Sequence, residues 1–337
     1  MKTRIAINGF GRIGRTAFKV AARRSDVEIV AINDLSDART LAHLLKYDST
    51  YHGWNWYKTI EAGEKEIVVD GVRIPILSEK DPSNLPWKKL DVDVVIESTG
   101  FFTEYKKAKA HIKAGAKKVI VSAPCKGDGC KTIILGVNDG ELEPEDKVIS
   151  NGSCTTNCIT PVLKVLEDSI GVKKSMMTTI HSYTNSQSLQ DGPNKDLREA
   201  RAAAENIVPT STGAAKTVGL VDSKAVGHFD GLSIRVPTPV VSLIDLTALV
   251  KKKTTKEELI KIYQEASKEA NWQGILSASS EELVSSDFIG NSHSAIVDLS
   301  LTDVVDGDLV KIVAWYDNEW GYSNRLVELC IDANNVR

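Results

Sequence analysis

Residues 3–14 read TRIAINGFGRIG, and the fold turns on how this stretch is parsed. Thr3 to Asn8 carries β-branched residues and predicts a short strand. Gly9-Phe10-Gly11-Arg12-Ile13-Gly14 follows without a gap, and Arg15 to Arg24 has the apolar periodicity of a helix. A bare G-x-G-x-x-G run means little, because glycine turns join many strands to helices. Between a strand and a helix it has a physical reading. Gly9, Gly11 and Gly14 permit a tight turn and close approach of a pyrophosphate, and the helix start faces the negative charge.

Further along, strand Glu28 to Ile32 ends at Asn33-Asp34, with Asp34 twenty residues beyond Gly14. An acidic side chain there accepts from both hydroxyls of an adenosine ribose and repels a 2′-phosphate, which favours NAD over NADP. A turn or cap residue at a strand end is the competing reading. Val92 to Ile96 (VDVVI) is an apolar run of the kind buried on both faces of a parallel sheet. It ends in Glu97-Ser98-Thr99-Gly100, at the strand edge where open α/β sheets bind ligands. A helix from Thr103 to Ala114 and a strand from Val119 to Val121, ending at Ser122, continue the alternation. The pattern predicts a doubly wound, mostly parallel sheet. No repeat or linker interrupts it, so the domain change is expected near Ser150, giving residues 1–150 and 151–317.

Composition fits this reading. The 337 residues suffice for two domains, and 42% hydrophobic with 26% charged residues is ordinary for a soluble globular protein. A net charge of −3 supplies no basic field for nucleic acid or anionic membrane. No apolar N-terminal segment or membrane-length run is present, so a cytoplasmic location is expected. Five cysteines, an odd number, argue against a disulfide framework. Cys125-x4-Cys130 and Cys154-x3-Cys158 lack the two-residue zinc-knuckle spacing, so no metal is expected.

At the expected seam lies SNGSCTTNC, residues 150–158, before a helical run from Ile159 to Leu166. Ser153 is a good N-cap. Cys154 then falls in the first helical turn, where free N–H groups and the helix dipole lower a thiol from about 8.5 toward neutrality. The alternative is a buried cysteine acting as a small hydrophobe. Met176 to His181 predicts a strand delivering His181 at its end, and a Cys–His pair supplies nucleophile and base. Ser182 to Pro209 is a long polar loop of the kind that binds something, often another subunit. Thr212, Gly213 and Arg235, with Ser153, Thr155 and Thr184, are the donor types expected around phosphate. Alternating patterns at Leu232–Leu249, Ala295–Leu301 and Leu309–Trp315 predict a mixed or antiparallel sheet, with helices at Lys256–Asn271 and Asn318–Asp332.

NGFGRIGR, SNGSCTTNC, IHSYT, PTSTGAAK, RVPTP and WYDNEWGYS occur in one order along the chain, with 27 residues from Cys154 to His181. In this series the chain resembles the glyceraldehyde-3-phosphate dehydrogenase family over essentially its whole length. The resemblance implies an α/β fold: a Rossmann dinucleotide-binding domain, completed by a C-terminal helix at 318–337, and an α+β catalytic domain. The catalytic sheet would be mixed, largely antiparallel and eight-stranded. A homotetramer is also implied. Cys154 would be the nucleophile and His181 its base. Asn318 and Tyr322 would lie at the nicotinamide, and Arg12, Ile13, Asp34, Lys80, Thr99 and Ser122 elsewhere along NAD. Thr184 and Arg235 would hold the C3 phosphate of glyceraldehyde 3-phosphate. Ser153, Thr155, Thr212 and Gly213 would hold inorganic phosphate.

The implied chemistry adds thiolate to the aldehyde, oxidises the hemithioacetal to a thioester and releases 1,3-bisphosphoglycerate by phosphate attack. Gly152 stands where the family usually has alanine, Lys80 where arginine is common, and Glu199 where many bacterial members carry a second arginine, so help from that side chain at an anion site is lost. Cys158, one turn beyond Cys154, is read as packing. Rival readings are an erythrose-4-phosphate dehydrogenase, disfavoured by the intact TSTGAAK segment, and a non-catalytic NAD-binding protein.

Overall fold

Strand β1 (Thr3–Asn8) ends at Gly9, whose φ of 90° lets the chain turn sharply into helix α1 (Arg12–Ala21). A Cβ on Gly14 would lie 2.1 Å from the Gly9 carbonyl oxygen, so the helix packs this closely only with glycine there. The helix begins three residues earlier than expected, which puts Arg12 and Ile13 in its first turn. The computed structural model describes residues 2–51 and 57–336. The chain divides into two compact units: Met1–Ile133 with Gly140–Gly152 and Ser323–Arg337, and Ser153–Tyr322 with Ile134–Asp139.

The first unit continues with β2 (Val27–Asn33), α2 (Ala38–Lys46), β3 (Ile60–Ala62), β4 (Glu66–Val69), β5 (Val72–Leu77) and β6 (Val94–Glu97). Short helices α3 (Tyr105–Ala108) and α4 (Ala110–Lys113) precede β7 (Lys118–Val121), β8 (Lys131–Thr132) and β9 (Val148–Ser150). Among the described residues these form one nine-stranded sheet in the order β3-β4-β5-β2-β1-β6-β7-β9-β8. From β5 to β8 neighbours are parallel, and β3 to β5 form an antiparallel edge. This is a Rossmann-type sheet. Its central strands are apolar on both faces because helices cover both, and Ile5, Ile7, Val94 and Ile96 are fully buried.

The single helix expected at 103–114 is broken. The Lys126 N–H donates to the Thr103 carbonyl, and the Lys126 carbonyl accepts from the Tyr105 N–H, which delays the start. At Lys109 the backbone (ψ −14°) is reached by the Ile112 N–H, a tightened turn separating α3 from α4. His111 on α4 points into the interior.

In the second unit, α5 (Cys154–Ile170) leads into β10 (Val172–Ser182) and β11 (Val208–Ser211). Then follow α6 (Ala214–Val221), β12 (Phe229–Val236), β13 (Ser242–Val250) and α7 (Lys256–Ala266). Strands β14 (Leu276–Ser279), β15 (Ala295–Val305) and β16 (Leu309–Tyr316) complete it. The sheet order is β11-β12-β10-β13-β16-β15-β14, with parallel pairing only at β10–β12 and β14–β15. It is mixed and largely antiparallel, as expected, but has seven strands among the described residues where the resemblance implied eight. The long loop after β10 makes a lone bridge, Ser188–Ala202, and no strand. Helix α7 starts at a capping box, with Thr255 and Glu258 each accepting from the other's N–H. The last helix, α8 (Trp320–Asn335), starts two residues later than expected. Asp317 Oδ1 accepts from the N–H groups of Glu319 and Trp320, which leaves Asn318 outside it.

Candidate active site

Gly152, at φ 61°, donates its N–H to Ser150 Oγ and sets up the entry to α5. Ser153 caps that helix: its Oγ accepts from the Thr156 N–H at 3.0 Å. Cys154 is therefore the first helical residue, as the sequence predicts. Strand β10 brings His181 alongside, with Cys154 Sγ 3.4 Å from His181 Nε2. Strand β12 runs parallel to β10 and pairs Arg235 with His181. That register explains why Arg235 Nη1 reaches both His181 Nδ1 (2.6 Å) and the Ser182 carbonyl (3.0 Å).

His181 Nδ1 also lies 2.7 Å from the Ser182 carbonyl, which can only accept. Burial and the Arg235 charge hold the His181 pKa down to about 3. The ring is an available proton acceptor at neutral pH. For Cys154 the expectation of a lowered pKa needs correction. Burial pushes the thiol up and outweighs the downward pull of Arg235 and of the Thr155 hydroxyl and N–H.

Tyr316 braces this pair, and nothing in the linear sequence singled it out. Its hydroxyl sits between Thr155 Oγ1 (3.0 Å) and Thr179 Oγ1 (2.8 Å), and its ring meets His181 edge-on at 5.9 Å. Ser242 is another missed residue. It accepts from the Ser182 N–H and donates to Asn318 Oδ1 (3.1 Å), which fixes the Asn318 carboxamide. Tyr322 is buried in the first turn of α8. Cys158 is fully buried with Sγ toward the Ala314 carbonyl, a packing residue as expected.

The anion-binding candidates fall in two places. Thr184 follows His181 and is held by Gln187, whose Oε1 accepts its N–H. Gln187 in turn donates to Glu199, which also accepts from Thr210, so Glu199 supports the Thr184 loop from behind. Thr212 and Gly213 open α6, with Thr212 Oγ1 accepting from the Ala214 N–H. Strand β11 runs antiparallel to β12, pairing Val208 with Arg235 and Ser211 with Leu232. Thr212 thus lies roughly 13 Å along the strand from Arg235.

In the first unit a cavity of about 390 Å³ is lined by Gly9, Gly11, Asp34, Lys80, Thr99 and Phe102 among others. Asp34 is held firmly in this lining. Its Oδ2 accepts from the Phe10 N–H (2.7 Å) and its Oδ1 from the Ser36 N–H (2.9 Å). A Cβ added at Gly11 would meet nothing within 4 Å, so this side is open for a pyrophosphate, whereas Gly14 serves helix–strand packing. These residues fit a dinucleotide. Arg12, Ile13 and Ser122 are not among the lining residues; Arg12 instead pairs with the buried Asp48 (2.9 Å), which also holds the fully buried Lys19.

A Rossmann sheet with an acidic residue just past the end of β2, and a second unit built around a cysteine at a capped helix start, make this a nicotinamide-dependent oxidoreductase. Residues 3–105 match the NAD binding domain of glyceraldehyde 3-phosphate dehydrogenase, and residues 153–318 match its C-terminal domain. The chain is 53% identical to the glyceraldehyde-3-phosphate dehydrogenase of Borreliella burgdorferi, covering 97% of this chain and 98% of that one. It is 51% identical to the enzyme of Geobacillus stearothermophilus, over 98% and 97% of the two chains. The chain belongs to the glyceraldehyde-3-phosphate dehydrogenase family, and its cofactor is NAD.

Proposed function

We propose that the chain oxidises glyceraldehyde 3-phosphate to 1,3-bisphosphoglycerate, using NAD and inorganic phosphate, with Cys154 as nucleophile and His181 as base. The observation that carries this reading is the 3.4 Å approach of Cys154 Sγ to His181 Nε2 at a capped helix start. His181 takes the thiol proton as sulfur adds to the aldehyde, and returns it to the new alkoxide. It then removes the hydroxyl proton of the hemithioacetal as the carbon is oxidised to a thioester. NAD, when bound, supplies the acceptor for that oxidation. Phosphate attack on the thioester expels Cys154 as thiolate.

Arg235 and Thr184 bind the C3 phosphate, while Ser153, Thr155, Thr212 and Gly213 bind the attacking phosphate. The separation of Arg235 from Thr212 supports two anion positions. The first unit carries the cofactor through Asp34, Lys80, Thr99 and the glycine turn, joined by Arg12, Ile13 and Ser122, and Asn318 and Tyr322 orient the nicotinamide. A homotetramer is supported by the exposed Leu189, Leu197 and Ile207 of the loop after β10. No helix of the described residues is long and apolar enough to cross a membrane, and a cytoplasmic location accords with the reading. The test is NAD reduction with glyceraldehyde 3-phosphate, which should require inorganic phosphate. Sustained turnover without phosphate would contradict the phosphorylating reading.

A further inference from the structure

Strands β2, β1 and β6 end in register, which places Asn33, Asn8 and Glu97 side by side at the carboxyl edge of the first sheet. All three are buried, with Glu97 only 2% exposed. A carboxylate in such a place is tolerated only when fully hydrogen-bonded. Glu97 meets that demand. Oε2 accepts from Asn8 Nδ2 (2.5 Å) and faces His111 Nε2 at 2.9 Å. Oε1 accepts from the Thr99 N–H (2.9 Å) and from the Thr99 hydroxyl.

The direction of each bond is fixed by chemistry. Trp87 Nε1–H can only donate, and it points at His111 Nδ1 from 3.0 Å. The ring proton therefore sits on Nε2 and is donated to Glu97. On the other side, Asn8 Oδ1 accepts from Asn33 Nδ2 (2.7 Å), and Asn33 Oδ1 accepts from the Glu79 N–H (2.9 Å). One buried chain thus runs from Trp87 through His111 and Glu97 and divides. One branch ends at Thr99 and the other at the Glu79–Lys80 segment, and both ends line the same cavity.

We propose that Glu97, oriented by His111 and Trp87, is a positioning residue for the dinucleotide. It holds Thr99 on one side of the cavity and, through Asn8 and Asn33, the Glu79–Lys80 segment on the other. Because the Thr99 hydroxyl gives its proton to Glu97 and accepts from the Phe101 N–H, its remaining lone pair can act only as an acceptor, suited to a hydroxyl or amine of the cofactor. This rests on the reading that NAD occupies the cavity, which calorimetric titration of the wild-type chain with NAD tests by itself. If wild type binds NAD, Glu97→Gln should weaken binding by about tenfold, as expected for loss of a charge-assisted hydrogen bond. KM for NAD should move more than kcat. Thr99→Val should weaken binding too, and the double variant should lose less than the sum of the two single losses, because the two side chains share the Glu97–Thr99 contact. Trp87→Phe, which removes the terminal donor together with part of a fully buried ring, should weaken binding by roughly threefold and serves if Glu97→Gln does not fold. Unchanged NAD affinity in folded Glu97→Gln or Trp87→Phe, whatever the loss of melting temperature, would overturn the proposal. So would additive losses in the double variant.

Discussion

Arg235 Nη1 lies 2.6 Å from His181 Nδ1, and that charge, added to burial, is why the ring resists protonation. Replacing Arg235 with Gln should raise the His181 midpoint from about 3 toward the ordinary 6.5, read by imidazole NMR; an unmoved or lower midpoint would refute the assignment of cause. A substrate phosphate on Arg235 would partly cancel the same charge and so strengthen His181 as a base. The shift also has a sign in stability. The folded pKa lies below the unfolded value, so the neutral ring contributes stability that is whole above pH 6.5 and lost as pH falls toward 3. His181→Asn should flatten the fall in urea midpoint between about pH 6.5 and 4. In turnover it should lose roughly 10²- to 10⁴-fold in kcat, the usual worth of a positioned base.

At the scale of elements, the turn before α5 is the sensitive one. Gly152 sits at φ 61°, where a side chain costs about 1 kcal/mol, so Gly152→Ala should lower the unfolding free energy by about that much in urea titration. A variant as stable as wild type would show that the turn relaxes. Helix starts were legible in the sequence where a cap is local: Ser153 three residues before Thr156 marks α5 without further help. The start of α8 was misplaced by two residues because Asp317 caps it from three residues before Trp320. The late start of α3 was hidden because it depends on the distant segment around Lys126. The site shows the same division. Cys154 and His181 were readable as reactive types at strand and helix ends. Tyr316 and Ser242 were not, because a tyrosine and a serine acquire their roles only when β13 and β16 pair and bring them beside β10. The net effect of burial on the Cys154 thiol was equally invisible, since a helix-start pattern does not reveal how deeply the residue is enclosed.

Across the whole molecule, each unit supplies a part that the other lacks. The first offers a cavity lined by the glycine turn and Asp34, and the second a thiol, a base and a set of anion donors. Asp34 should enforce the choice of cofactor by charge, and Asp34→Ala should narrow the ratio of NAD to NADP turnover; an unchanged ratio would contradict that role. The central claim is that oxidation passes through an acyl group on Cys154. Intact-mass and peptide spectrometry of the enzyme mixed with glyceraldehyde 3-phosphate and NAD, without phosphate, tests it most directly. The account predicts a phosphoglyceroyl adduct confined to Cys154 and discharged when phosphate is added. An enzyme that reduces NAD in one turnover with Cys154 unmodified, or modified elsewhere, would contradict it.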